Sequence, residues 1–188
     1  SFGVYNGLSD VEALARGNAT GIPDGGLDAD GNSIARIATG DAMYIASLGV
    51  ISQEDFPTAG GAGATSVAQL SGYWLGTEAG TDAVFYIIPA GTVWNALQFA
   101  SAEYAPDKIV CIRVVGEIAW LLGEATLEGW RATGNSSSPL EPFGGLKFDV
   151  GCRSRPAAVN CRGTLIFVDS DCSVRLTDGG EPRIISDN

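Results

Sequence analysis

The sequence predicts a mainly β protein: an antiparallel sandwich or small barrel-like domain preceded by an N-terminal arm. Three observations carry that expectation. Glycine supplies 26 of 188 residues, about 14% against the usual ~7%. The apolar runs are short, rich in β-branched and aromatic residues, and bounded by Gly, Thr and Pro. The closing segment alternates in hydrophobicity and is broken by turns such as Asp178-Gly179, one of the stronger hairpin signals a sequence can carry.

The elements follow in chain order. Ser9-Asp10-Val11-Glu12 has the form of a capping box, with Val11, Leu14 and Ala15 on one face and Gly17 as a stop, so a helix of about two turns is expected there. Residues 22–32 are dense in turn formers and read as a loop. Within it, Asp28, Asp30 and Asn32 begin the spacing of a calcium loop. Ser33 and Thr39 stand where that loop needs Gly and a bidentate Glu, so the reading is a turn held by side-chain-to-backbone bonds, and no metal is assigned. Residues 33–51 predict two short strands around Gly40-Asp41. The small-residue run at 57–66 (PTAGGAGATS) predicts a hinge, dividing a docking arm, 1–56, from a β domain, 67–188.

In that domain, 72–75 and 83–88 read as strands. Residues 92–104 fit a helix by spacing and a strand by aromatic content, and both stay open. Residues 109–115, 118–122 and 127–133 are spaced as an antiparallel meander, followed by a polar loop over 134–145 and a strand over 146–150. Strands at 164–168, 173–177 and 183–185 complete the chain.

Charge and missing residues exclude several functions. The formal net charge is −11. Nucleic acid and anionic membrane surfaces both require clustered Lys and Arg, so neither is an expected partner. The longest apolar runs fall far short of the ~18 residues a membrane helix needs. No basic stretch followed by an apolar run opens the chain, so no signal peptide is expected. Histidine is absent, which removes Ser-His-Asp and Cys-His catalysis and His-ligated zinc. Phosphate-loop and dinucleotide fingerprints are missing as well. With 22 acidic residues a carboxylate pair can always be nominated, so nominating one has no content. The expectation is no enzyme and no cofactor.

The charge is uneven. Residues 1–105 hold 11 acids and two bases, whereas 106–188 hold 11 acids and nine bases. Arginines crowd the C-terminal end, and Arg153, Arg155 and Arg162 are the candidates for contacts with acidic residues of a neighbouring subunit, because guanidinium forks well onto carboxylates. The opposing reading is that they are ordinary solvated residues. Cys152, Cys161 and Cys172 lie nine and eleven residues apart, so neighbouring strands can bring a pair within disulfide reach; the alternative is thiols throughout. Tyr73, Trp74, Trp94, Trp120 and Trp130 either build the core and an interface or stack on sugar rings.

Arg155-Pro156-Ala157, Arg162-Gly163-Thr164-Leu165-Ile166-Phe167-Val168, Ser173-Val174-Arg175-Leu176-Thr177-Asp178-Gly179 and Arg183-Ile184 together form a recognisable run. It resembles short segments near the ends of tailed-bacteriophage virion proteins of the tail-fibre, spike and decoration types, although Pro182 stands where that pattern usually has Trp. The resemblance implies a non-enzymatic virion component, assembled in the host cytoplasm. Its expected partners are itself, as a homotrimer, and other virion proteins. The second reading is a monomeric extracellular carbohydrate-binding β-sandwich.

Overall fold

The computed structural model describes residues 13–16, 34–40, 42–47, 50–57, 64–78, 83–102 and 104–186. The Asp28, Asp30 and Asn32 turn, the capping-box residues 9–12 and positions 58–63 of the expected hinge lie outside these. Among the described residues the chain forms four four-stranded antiparallel sheets, each hydrogen-bonded in chain order. Sheet 1 holds β1 (Ala13–Arg16), β2 (Ile34–Ala38), β3 (Met43–Ser47) and β4 (Val50–Glu54). Sheet 2 holds β5 (Ala64–Leu70), β6 (Tyr73–Glu78), β7 (Val84–Pro89) and β8 (Phe99–Ser101). Sheet 3 holds β9 (Ile109–Val115), β10 (Ile118–Gly123), β11 (Leu127–Ala132) and β12 (Leu140–Phe148). Sheet 4 holds β13 (Ala158–Cys161), β14 (Thr164–Val168), β15 (Val174–Thr177) and β16 (Arg183–Ile184), and a single 3-10 turn at Arg155–Ala157 precedes it.

The mainly β, antiparallel expectation stands, with the strands divided among four sheets and no closed barrel. Local details differ. Ala13–Arg16 is a strand and not the second half of a helix, because it pairs with β2 from Ala13 opposite Ala38 to Arg16 opposite Ala35; ladder pairing outweighs local preference. Of residues 92–104, those described, 92–102 and 104, form turns and the short strand β8. The polar loop expected over 134–145 is cut short, because β12 starts at Leu140. Pro142 is tolerated there on an edge strand, where no outward ladder bond is lost. The last three residues of the expected hinge, Ala64–Ser66, open β5.

Among the described residues three apolar seams hold the sheets together. Ile34, Ala38 and Met43 of sheet 1 meet Val67, Trp74 and Ile88 of sheet 2. Leu75, Phe85 and Ile87 of sheet 2 meet Ile112, Leu121 and Trp130 of sheet 3. Cys111, Trp120 and Leu122 of sheet 3 meet Leu165 and Phe167 of sheet 4. Neighbours in one strand therefore serve opposite seams: Trp74 faces sheet 1 and Leu75 sheet 3, and Trp120 faces sheet 4 and Leu121 sheet 2. Sheets 2 and 3 are buried on both faces, which is why their strands read as continuous apolar runs rather than alternating ones. Each large side chain so buried contributes ~1.5–3 kcal/mol.

The connection from sheet 3 to sheet 4 depends on Gly151. A Cβ there would stand 1.9 Å from the Glu124 carbonyl oxygen and 2.9 Å from the Ala125 nitrogen, both backbone. Gly151→Ala is expected to lower stability by about 1–3 kcal/mol, the usual range for a forced overlap. An unchanged urea midpoint would show that the connection yields freely.

Candidate functional site

Two polar assemblies sit where sheets adjoin. The first is built on β2, whose Arg36 lies in an otherwise apolar strand and is 2% exposed. Its Nε donates to Glu54 Oε2 at 2.8 Å and its Nη2 to Glu54 Oε1 at 2.6 Å. Nη2 also donates to the Thr92 carbonyl at 3.0 Å, so the guanidinium ties β2 and β4 to the turn after β7. Trp94 Nε1 donates to the same Glu54 Oε2 at 3.0 Å. The cation lies 5.0 Å from the Trp74 ring centre and 5.4 Å from that of Trp94. Phe56 closes the cage edge-on, 4.9 Å from Trp94 and 5.3 Å from Tyr86. Gly76 makes room for it, since a Cβ there would stand 2.6 Å from Phe56 Cε2. A buried charge held bidentately through Nε and Nη2 inside an aromatic cage is a clamp between sheets 1 and 2.

The second assembly gathers the first strands of sheets 2, 3 and 4. Arg113 of β9 donates through Nε to the Ala158 carbonyl of β13 at 2.8 Å and through Nη2 to the Arg155 carbonyl at 2.8 Å. Its Nη1 donates to the Ile112 carbonyl at 2.8 Å and approaches Ser66 Oγ of β5 at 3.4 Å. Ser66, fully buried, in turn accepts from the Ile112 backbone N–H at 3.1 Å. Arg155 Nη1 donates to the Thr65 carbonyl at 3.3 Å and stands beside Gly40 of the β2–β3 turn. These guanidinium groups spend their donors on strand carbonyls; the chemistry is strapping.

The three arginines singled out in the sequence are thus separated. Arg155 is engaged within its own chain. Arg153 is exposed, donating at 3.2 Å to the Ser170 carbonyl near the Val168 end of β14. Arg162 is exposed in the β13–β14 turn at the other end of that strand, with φ +53°. The cysteines divide in the same way. Cys152 and Cys172 lie toward the Val168 end of β14 and Cys161 at its start, a strand length of roughly 15 Å, beyond the reach of a disulfide. None of the four cysteines is in a disulfide in this structure; Cys111 and Cys152 are buried, Cys161 and Cys172 exposed. All four tryptophans are buried in the seams, so none presents a face for sugar stacking.

A buried acid was not anticipated from the sequence. Glu128 of β11 is buried, with Lys147 Nζ of β12 at 3.6 Å from Oε1. Burial pushes its carboxyl above the ordinary range, and the Lys147 charge opposes that rise. A carboxyl whose folded pKa is raised favours the folded state as pH falls, the cost of burying its charge returning as pH climbs through the folded pKa. The strand register carries the signal for it, since Glu128 stands opposite Lys147. At the opposite end of β11, an open cleft of about 940 Å³ runs along the turn ends of sheets 3 and 4, with Ser71 of sheet 2, and holds the half-exposed Arg131–Glu141 pair; such pairs contribute little. Among the described residues no group of three His, Cys, Asp or Glu side chains is placed to hold a metal.

Comparisons with known proteins agree with this architecture. The family model described as "Phage_stabilise: Bacteriophage P22 Gp10, beta-propeller" matches residues 24–188. A search of curated proteins found no match. Among solved structures, the computationally designed Ika4 protein is similar at 14% identity and TM-score 0.51, covering 94% of each chain; at that identity the likeness shows the fold alone. More distant are Kluyveromyces lactis Hsv2, at 8% identity and TM-score 0.47, and BamB from Moraxella catarrhalis, at 9% and 0.46. This chain covers 48% and 55% of those two, about half their length, and they cover 91% and 92% of it.

Proposed function

Because the chain belongs to the phage-stabilising family described as bacteriophage P22 Gp10, β-propeller, we propose that it strengthens the virion mechanically, without catalysis, by docking and self-assembly. Its place as a structural component of the phage virion follows from the family. No helix among the described residues is long and apolar enough to cross a membrane. The observation that carries the proposal is the use made of the polar groups. Arg36, Arg113 and Arg155 are spent on holding sheets to one another, which suits a stiff building block.

In this reading the chain works in a tail fibre or spike, or on the head, as a homo-oligomer of three copies bound to other virion proteins. Residues 1–56, with eight acids against two bases, carry the docking surface, the role the arm was expected to have. Arg153 and Arg162, being exposed, are the members of the arginine set suited to acidic neighbours, and opposite potentials there set register more than affinity.

Particles assembled without this chain are expected to lose infectivity at a lower temperature than complete ones, and the purified chain is expected to restore them. Superimposable heat-inactivation curves with and without the chain would overturn the reading.

A further inference from the structure

We infer that β4, the last strand of sheet 1, is a docking edge that takes an extended segment of another virion protein as a fifth strand. The inference names the docking surface within residues 1–56 and rests on the docking reading above. A strand at a sheet margin presents a row of backbone N–H and C=O groups that a second chain can pair with, and proteins ordinarily blunt such edges. The first strands of the sheets adjoin one another. β1 lies against β5 and β5 against β9, and Arg113 ties β9 to β13. The last strands form the opposite margins, and three of the four are blunted. β8 has three residues and β16 two. β12 is longer but carries Pro142, and its register with β11 shifts between Glu128 and Trp130.

β4 has none of these devices. It pairs with β3 without a shift, from Val50 opposite Ser47 to Glu54 opposite Met43, and its five residues include no Pro, Lys or Gly. Val50 is 67% exposed, and Ser52 and Gln53 are exposed as well. Among the described residues no backbone group of 50–54 bonds to any strand but β3. The edge is also held in shape. Glu54 at its end is locked by the Arg36 guanidinium and Trp94, and Phe56 just beyond packs against Tyr86 and Trp94. A strand ordered in advance costs little conformational entropy on binding.

Chemistry sets what fits. Only an extended backbone offers donors and acceptors at the period of a strand. The four sheets are antiparallel throughout, so the incoming segment runs against β4, with its first residues beside Asp55 and its last beside Val50. Asp55 is exposed and takes part in no ion pair among the described residues. A Lys or Arg at the leading end of the segment complements it. A β-branched or aromatic residue at the trailing end covers Val50, the pairing that cross-strand contacts favour.

The test is amide hydrogen exchange of the full chain, free and bound to particles assembled without it. Successive residues of an edge strand turn their N–H groups alternately toward the neighbouring strand and outward. The outward amides of 50–54 are expected to slow at least about tenfold on binding. Ser52→Pro and Gln53→Pro separate the two sides. One removes an N–H bonded to β3 and lowers the urea midpoint; the other removes an outward N–H and leaves the midpoint nearly unchanged. That second variant is expected to bind particles about tenfold more weakly. Asp55→Lys, which leaves the backbone intact, is expected to lose about fivefold, and more at low salt. Bound chains whose 50–54 amides exchange as in the free protein, or an outward-side Pro variant that binds like the parent, would overturn the inference and leave the docking reading standing. Protection of the same amides on concentrating the free chain without particles would overturn it too, since the occupant would then be a second copy. A chain that neither binds particles nor restores their heat resistance would remove both readings.

Discussion

Glu54→Ala is expected to cost about 3–5 kcal/mol, the range for removing one partner of a buried ion pair. The loss has several parts. Arg36, 2% exposed, forfeits both bonds to the carboxylate and keeps only the Thr92 carbonyl through Nη2. Its Nη1 is already buried without a hydrogen-bond partner among the described residues, so the side chain has no reserve. Trp94 Nε1 loses its acceptor in the same step. The attraction of the cation to the Trp74 and Trp94 rings remains, but at ~0.5–2 kcal/mol it does not repay an orphaned charge. The effect should resist salt, because a pair this buried is weakly screened. Urea unfolding followed by tryptophan fluorescence reads it directly, and a fall in Tm of roughly 6–20 °C accompanies it for a chain of this size. The informative control is Arg36→Met together with Glu54→Leu. Removing both charges should recover most of the loss, since well-packed apolar replacements of buried pairs are often neutral. A loss under about 1 kcal/mol in Glu54→Ala would mean that sheet 1 is held by its apolar seam alone.

Trp130→Ala is expected to be as damaging, about 3–5 kcal/mol, for a different reason. The indole is buried in the seam between sheets 2 and 3 and meets the Phe85 ring edge-on at 5.1 Å and 84°. Its removal deletes apolar contact and leaves a void between two sheets, each stiffened by its own ladder, that can close onto it only in part. Trp130→Phe keeps part of the contact and should lose less than half as much. A small effect in Trp130→Ala would require the sheets to close up. A changed dependence on urea, in place of a simple shift of midpoint, would instead report a seam that opens before the rest.

The strand content was legible because turn chemistry is local. Gly40, the Asp178-Gly179 pair and the short apolar runs between them mark strands that the structure contains, as at Thr164–Val168 and Val174–Thr177. The grouping into four sheets was less so, because it depends on which face each side chain uses. Trp74 and Leu75 are equally apolar in the sequence yet belong to different seams. The same blindness hid the clamp. Arg36 stands out as a charge in an apolar strand, but Glu54, Thr92 and Trp94 are 18, 56 and 58 residues away along the chain. Only the fold brings them together. Arg153, Arg155 and Arg162 show the converse, since closeness in sequence placed Arg155 in a strap and Arg162 at the opposite end of a strand.

Among the described residues, each of the three apolar seams joins sheets that are consecutive in the chain. The energetics should therefore resemble those of a linear array, in which stability is a sum of unit terms and couplings between nearest neighbours. Assembly can start at the doubly covered middle pair and grow outward one sheet at a time, with the Arg155 strap to Thr65, beside Gly40, closing last. Damage follows the same path in reverse. A lesion in one seam frays the terminal unit next to it while the remaining pair holds, so the protein yields in stages and not all at once.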